Sequence, residues 1–121
     1  MKFCWVTLNV TDFNKSLEFY NGILGIPVCS QYEGVGMRLA MLGEEDKPKI
    51  EIIQTDSYIE KTFSSGITVG LEVESLDKIV EYLKIKNIDV IKGPFSPNPN
   101  IKFLYINDPD GYEVQLVEII K

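Results

Sequence analysis

The chain has 121 residues, which is enough for one ordinary domain or for two small modules that share a core. Its 12 Lys and Arg residues against 18 Asp and Glu residues give a formal net charge of −6. This acidic balance argues against DNA or RNA as the main partner, because phosphate binding needs clustered cations. No apolar run is long enough to span a membrane, so we expect no membrane partner.

Cys4 and Cys29 are too few for a disulfide framework, and their spacing is not that of metal ligands. We interpret them as reduced thiols, which indicates a cytoplasmic protein. The N-terminal segment is too short and too alternating to be a signal peptide. The chain contains no histidine, so the commonest metal ligand is missing.

The first predicted strand has apolar residues in alternation from Val6 to Val10, which is typical of a strand with one buried face. Trp5 and Thr7 then point to the opposite face. A helix is predicted next, since Asp12 can cap its N-terminus and an apolar stripe follows as far as Leu24. Gly25 ends this helical region.

Three more strands are predicted in the first half, at Pro27–Tyr32, Met37–Leu42 and Ile50–Gln54. The turn sequences EGVG and GEEDKP separate them. The polar segment TDSYIEKTFSSG follows as a connector. The first half of the chain therefore has the order βαβββ.

The second half repeats the first. The sequence WVTLNVTDFNKSLEFY, Trp5–Tyr20, aligns with TVGLEVESLDKIVEYL, Thr68–Leu83, and IEII, Ile50–Ile53, aligns with VQLV, Val114–Val117. A repeat of this length indicates one supersecondary unit that is used twice. Ser75 is the predicted cap of the second helix.

The second half ends in three predicted strands, at Val90–Ile91, Ile101–Ile106 and Tyr112–Ile119. The segment GPFSPNPN is interpreted as a turn because it is rich in proline and glycine. The NDPDG sequence before the last strand has hairpin chemistry, since Asp108 can accept hydrogen bonds from the turn amides and Gly111 tolerates a positive φ.

Two βαβββ units, with LNVTDFNKSLEFYNGILG early and DPDGYEVQLVE late, resemble the vicinal oxygen chelate superfamily of glyoxalases, bleomycin-resistance proteins and extradiol dioxygenases. The resemblance implies an α+β fold of two tandem βαβββ modules whose mixed sheets curl around a shared cavity. We expect one such domain over 1–121, with module one at about 1–54, a linker at about 55–65 and module two at about 66–121.

In the metal-dependent members, the resemblance implies four ligand positions on the first and last strands of the two modules. In this chain they are occupied by Trp5, Glu51, Thr68 and Gln115. Indole has no usable lone pair, and a hydroxyl and an amide are weak ligands for a divalent ion. We therefore expect no metal at this site and no other cofactor.

Each of these residues has two readings. Trp5 either plugs the cavity or forms an aromatic wall for a planar or cationic ligand. Glu51 is either satisfied by a neighbour such as Arg38 or is a cavity acid that pairs with a ligand or takes a proton. Gln115 either hydrogen-bonds to Glu51 or Thr68 or reads a polar edge of a ligand.

The expected ligand-binding residues are Trp5, Thr7, Arg38, Glu51, Thr68, Phe103, Tyr105 and Gln115, with Glu51 as the candidate catalytic residue. The first hypothesis is a metal-independent protein that binds a small molecule, cationic or aromatic, as in the bleomycin-resistance branch. The second is a glyoxalase-like lyase, isomerase or dioxygenase with an unusual metal site or with Glu51 as base. The third is an interaction module with a vestigial cavity. The resemblance also implies a homodimer.

Overall fold

The computed structural model describes residues 1–56 and 66–120, and the chain divides into two compact units, Met1–Thr62 and Phe63–Lys121. Each unit contains a helix and a four-stranded mixed sheet, so the α+β fold of two βαβββ modules is confirmed. Most of the predicted linker, 57–65, lies outside the described residues. Within the described residues, no helix is long and apolar enough to cross a membrane.

The first unit consists of β1 (Trp5–Asn9), α1 (Phe13–Leu17), β2 (Val28–Gly34), β3 (Met37–Leu42) and β4 (Lys49–Thr55). Its strand order is β1-β4-β3-β2, with β1 parallel to β4 and the other neighbours antiparallel. As the alternation predicts, one face of this sheet is buried and packs against the helical segment. Its core contains Leu8, Val10, Ala40, Leu42, Ile50 and Ile52.

The helical region of the first unit begins at the predicted cap, where the Asp12 carboxylate accepts a hydrogen bond of 3.1 Å from the Lys15 amide. The α-helix is short and continues as a π-helical segment, Glu18–Ile23. In this wider helix Phe19 and Tyr20 are both buried, with their rings edge to face at 4.9 Å. The sequence predicts the extent of the helical region but not its π-helical geometry.

The second unit consists of β5 (Thr68–Glu72), α2 (Leu76–Ile85), β6 (Lys92–Asn98), β7 (Ile101–Asn107) and β8 (Glu113–Ile119). Its strand order, β5-β8-β7-β6, repeats that of the first unit. The Ser75 hydroxyl caps α2 as predicted and accepts from the Lys78 amide at 3.3 Å. The buried face contains Val69, Leu76, Leu83, Leu104, Ile106, Val114 and Leu116.

The predicted position of one strand is wrong. The sequence places a short strand at Val90–Ile91 and a turn after it, whereas the structure forms β6 from Lys92 to Asn98. Two prolines in this segment lack the N–H that a central strand needs. They are tolerated because β6 is an edge strand, and its pairing with β7 is interrupted by two register shifts.

A side chain on the last strand of each unit also accepts a hydrogen bond from the N-terminus of the helix in that unit. The Phe13 amide donates to Oε1 of Gln54 at 2.7 Å, and the Leu76 amide donates to Oε1 of Glu118 at the same distance. Both bonds satisfy amides that have no partner within their own helix. The repeat is therefore present in the polar contacts as well as in the strand order.

The hairpin before β8 is formed as the sequence predicts. Oδ1 of Asp108 accepts hydrogen bonds from the amides of Asp110, at 2.9 Å, and Tyr112, at 2.8 Å. Gly111 has a φ of 89°, in the region that favours glycine. This turn fixes the start of β8, and with it the strand positions of Glu113 and Gln115.

Candidate functional site

In each sheet, the side chains that alternate with the buried ones lie on the face opposite the helix, which we call the helix-free face. In the first unit, Trp5 and Thr7 occupy this face on β1, and Glu51 occupies it on β4. The register places Thr7 beside Glu51 and places Met41 of β3 on the other side of Glu51. The structure therefore brings three of the predicted site residues together on one face.

Thr7 and Glu51 form a direct pair, in which Oγ1 of Thr7 donates to Oε1 of Glu51 at 2.7 Å. Within the part of the chain that the structure describes, no group donates to the other carboxylate oxygen, Oε2. Glu51 is half-buried. Its position is therefore fixed through one oxygen, while the other can accept a bond from a ligand.

Trp5 borders a cleft of about 660 Å³ at one end of the same face. The indole side chain is 49% exposed, so it lines the cleft and does not fill it. Glu51 is next to this cleft, because its neighbours Met41 and Lys49 both line it. The lining residues are Lys2, Phe3, Cys4, Trp5, Cys29, Ser30, Met41, Glu45, Asp46, Lys47, Pro48 and Lys49.

One wall of the cleft is held in place by Lys49. Its ammonium group donates to the backbone carbonyl of Glu45 at 2.8 Å and also to that of Lys47. Its backbone amide donates to the carbonyl of Cys4 at 2.9 Å. The charge of Lys49 is thus used to order the β3–β4 turn, and the N-terminal segment is attached to β4.

In the second unit, the helix-free face carries a polar cluster that the sequence did not predict. Oγ1 of Thr68 donates to Oε1 of Glu113, and the ammonium group of Lys92 lies 2.9 Å from Oε2 of Glu113. Lys92 was missed because it lies between the short strand predicted at Val90–Ile91 and the segment that was interpreted as a turn. Glu113 could have been found, since it precedes Gln115 by two residues and therefore lies on the same face.

Aromatic residues extend this cluster across the sheet. The ammonium group of Lys92 lies 4.3 Å from the centroid of the Tyr105 ring, within the range of a cation–π interaction. Nε2 of Gln115 donates to the Tyr105 hydroxyl at 3.2 Å. The Phe103 ring packs edge to face against Tyr105, with 5.8 Å between centroids. Phe103, Tyr105 and Gln115 therefore share this face.

The contacts of the ion pair shift the pKa values of both Glu113 and Lys92. The hydrogen bond from Thr68, followed by that from Lys92, holds the pKa of Glu113 below its ordinary value. The hydrogen bond to Glu113 in turn raises the pKa of Lys92. Both groups are consequently charged at neutral pH, and the pair carries no net charge.

Two expectations from sequence do not hold. Arg38 lies on the helix-bearing face, where its guanidinium stacks 4.4 Å from the Phe13 ring centroid and pairs with Glu33 at 3.4 Å. It is therefore neither the partner of Glu51 nor on the same face. Thr68 does not bind Gln115, because the register places Thr68 opposite Glu113 and Gly70 opposite Gln115.

The four positions that the resemblance assigns to metal ligands do not fit a divalent ion. Trp5 offers no lone pair, and the Thr68 hydroxyl is already engaged with Glu113. Gln115 offers one neutral carbonyl, which leaves Glu51 as the single carboxylate. Among residues 1–56 and 66–120, no group of three or more Cys, Asp or Glu side chains is placed to hold a metal.

Comparison with known proteins identifies the family. Metallothiol transferase FosB of Staphylococcus saprophyticus is 27% identical over 117 residues, which cover 92% of this chain and 72% of that protein. The structure of glyoxalase I from Leishmania major matches with a TM-score of 0.83 at 18% identity, over 98% of this chain and 86% of that one. The antibiotic binding protein TnmS3 from Streptomyces sp. CB03234 matches with a TM-score of 0.74 at 19% identity, over 98% and 96%.

The two structural matches, at these identities, show the shared fold. Residues 2–116, nearly the whole chain, match the sequence pattern of one family, described as Glyoxalase/Bleomycin resistance protein/Dioxygenase superfamily. The chain therefore belongs to the glyoxalase/bleomycin resistance protein/dioxygenase superfamily.

Proposed function

We propose that this protein binds a small aromatic molecule without the help of a metal. Trp5 would provide the aromatic wall, and Glu51 would pair with a cationic or hydrogen-bond-donating group of the ligand. The observation that carries the proposal is the half-exposed indole of Trp5 at a position where the superfamily resemblance implies a metal ligand. A side chain that cannot coordinate a metal but can stack on a ring favours binding over metal chemistry.

The cleft beside Trp5 has a suitable size and composition. Its volume of about 660 Å³ falls in the usual range of small-molecule sites, roughly 300–1,000 Å³. Phe3, Trp5 and Met41 supply apolar surface, while the charged residues of the lining are of both signs. A ligand with an aromatic body is therefore favoured, and Glu51 is the group beside the cleft that would select a positive charge.

The comparisons are compatible with this proposal. FosB and glyoxalase I are enzymes by name, and the name of FosB refers to a metal. TnmS3 has the same fold and is described as an antibiotic binding protein, so the fold also supports binding. The residues at positions 5, 51, 68 and 115 are poor metal ligands, which favours ligand binding over metal-dependent catalysis for this chain.

The proposal can be tested by titration calorimetry on chelator-treated protein, with a panel of aromatic amines, aromatic acids and bleomycin. We expect at least one aromatic member of the panel to bind, and Trp5→Ala to weaken that binding by roughly 10- to 100-fold, equivalent to about 1.4–2.8 kcal/mol. Glu51→Gln should weaken the cationic members selectively. Arg38→Gln is the matched control, because Arg38 lies on the other face, and it should leave binding unchanged. Flat titrations across the whole panel would contradict the proposal.

A second candidate is an enzyme in which Glu51 acts as a general base. It is supported by the geometry of Glu51, which is held by Thr7 through Oε1 and has Oε2 available. A base must lie within hydrogen-bond reach of the proton that it removes. Turnover of a substrate that survives chelation and disappears in Glu51→Gln would establish this candidate. If the enzyme instead uses an unusual metal, metal analysis of the purified protein should find about one ion per chain.

A third candidate, an interaction module with a vestigial cavity, is less well supported. It requires Trp5 to fill the space, whereas about half of the side chain is exposed. We also propose, from the superfamily resemblance, that the protein is a homodimer in which the ligand site remains accessible. Sedimentation should give a dimer at micromolar concentration, and a monomer would contradict this assignment.

A cytoplasmic location is part of the same proposal. It is supported by Cys4 and Cys29, which are both free and exposed in the structure. Exposed free thiols persist in a reducing compartment. Fractionation of cells that produce the untagged protein would test the location.

A further inference from the structure

The two sheets differ at one position where the repeat makes them directly comparable. In the first unit, Thr7 lies opposite Glu51 and its hydroxyl donates to the carboxylate at 2.7 Å. In the second unit, Gly70 lies opposite Gln115 at the same place in the parallel pair. Glu51 therefore accepts a hydrogen bond from a side chain of the neighbouring strand. Gln115 instead lies opposite a residue that has no side chain.

The backbone does not require glycine at position 70. Gly70 is absent from the glycines that have a positive φ, so an L-residue could adopt its conformation. A Cβ added there would have a single neighbour within 4 Å, Oε1 of Gln115 at 4.0 Å, which is ordinary contact. The glycine thus leaves an open space beside Gln115, which we call the Gly70 notch.

The amide of Gln115 is only partly used within the chain. Its Nε2 donates to the Tyr105 hydroxyl at 3.2 Å. Among the described residues, none donates to its carbonyl oxygen Oε1, which is on the side of the notch. Gln115 is half-buried, and a partly shielded acceptor gains from a hydrogen bond that replaces lost water.

The surroundings of the notch favour a ligand group that donates a hydrogen bond over a carboxylate group. Glu113 precedes Gln115 by two residues on the same face, and Lys92 and Thr68 already bind both of its oxygens. The charge of Lys92 is therefore neutralised and is not available for an anionic group. The ring of Tyr105, which Gln115 contacts, supplies apolar surface next to the notch.

We propose that the Gly70 notch is a ligand subsite of the second unit, in which a hydroxyl or ammonium group of a small aromatic molecule donates a hydrogen bond to Oε1 of Gln115. The inference goes beyond the proposed function, because it concerns only residues of the second unit and names the chemical group that they would recognise. It assigns Gln115 as the reader of that group and Gly70 as the residue that makes room for it. The subsite selects alcohols and amines over carboxylic acids with the same aromatic body.

The test uses three matched probes, benzylamine, benzyl alcohol and benzoate, and follows the side-chain amide resonances of Gln115 by NMR. Benzylamine and benzyl alcohol should shift these resonances in a saturable way, and benzoate should not. Gly70→Thr introduces a hydroxyl like that of Thr7, which would fill the notch and bind Oε1 internally. It should weaken the binding of both donors by roughly 5- to 10-fold or more, the usual effect of losing one hydrogen bond.

The variants keep the result interpretable. Gly70→Ala fills the notch without supplying a donor, and it should also weaken binding while the melting temperature stays close to that of the unaltered protein. Ile67→Thr, at an exposed position just before β5, is the matched control and should leave binding unchanged. The proposal is overturned if benzoate binds as well as benzylamine, if Gly70→Thr has no effect, or if none of the three probes shifts Gln115.

Failure of this subsite can be distinguished from failure of the proposed function. If Trp5→Ala weakens binding of the aromatic panel and Gly70→Thr leaves probe binding intact, the notch is not a subsite and the proposed function stands. If Gly70→Thr removes probe binding while Trp5→Ala and Glu51→Gln change nothing, the second unit binds ligands and the role proposed for Trp5 and Glu51 is wrong.

Discussion

Replacement of Trp5 by alanine distinguishes a cleft that Trp5 lines from a cavity that Trp5 fills. A tryptophan side chain buries roughly 150–250 Å² when it is fully covered, and Trp5 is 49% exposed. Roughly 100 Å² is therefore covered by the protein, which at about 25 cal/mol per Å² is worth about 2.5 kcal/mol. We expect Trp5→Ala to lower the free energy of unfolding by about 2 kcal/mol, and Trp5→Phe to lower it by less than half of that amount.

Urea denaturation followed by circular dichroism measures the loss of stability, since the variants have no tryptophan signal. In the unaltered protein Trp5 is the only tryptophan, so quenching of its fluorescence by acrylamide reports its exposure directly. We expect a quenching constant about half that of free N-acetyltryptophanamide. A loss above about 4 kcal/mol, typical of a fully buried aromatic residue, together with an unquenched Trp5, would refute the open cleft.

The other predictions concern the polar contacts of the second unit. Because the Thr68 hydroxyl and the Lys92 ammonium group both lower the pKa of Glu113, Thr68→Val and Lys92→Met should each raise that pKa, as measured by carbon-detected NMR titration; an unchanged pKa in either variant would contradict this prediction. Since folding lowers this pKa, the small stability that Glu113 contributes is complete above its ordinary value of 4.5 and is lost as the pH falls through the lowered value. Glu118→Ala removes the acceptor of the Leu76 amide and should destabilise by about 1–3 kcal/mol, whereas Glu118→Gln keeps an acceptor and should lose about 1 kcal/mol or less from the helix dipole. Equal losses for the two variants in urea denaturation would show that the bond to Leu76 is not the cause.

Features that depend on local sequence were predicted well. Alternation fixed the buried and exposed sides of β1, and the caps Asp12 and Ser75 act where the sequence places them. The turn at Asp108 also forms as expected. In each case the signal lies within a few residues, so neither strand order nor register is needed to interpret it.

Features that depend on strand register could not be predicted in the same way. Thr68 was expected near Gln115, but in the parallel pair it meets Glu113, two residues earlier. Arg38 was left without an assigned face, although its alternation with Ala40 and Leu42 would have placed it on the buried side. Lys92 was missed because proline and glycine are typical of turns, while an edge strand accepts them.

The repeat also relates residues beyond the two aligned segments. The alignment of Ile50–Ile53 with Val114–Val117, extended by one residue, pairs Gln54 with Glu118, the two side chains that bind the helix N-termini. Extended backward, it pairs Lys49 with Glu113, which stabilise their own surroundings by different contacts. Equivalent positions in the two units thus keep their place in the fold while their chemistry differs.

The most direct test of metal-independent binding is to measure the same ligand titration twice, once with chelator-treated protein and once after incubation with nickel, zinc, manganese or iron. The metal content of protein purified without chelators should be determined in parallel. We predict the same dissociation constant in both titrations and a metal content far below one ion per chain. Stoichiometric metal, together with binding that is lost on chelation and restored by the ion, would contradict the account.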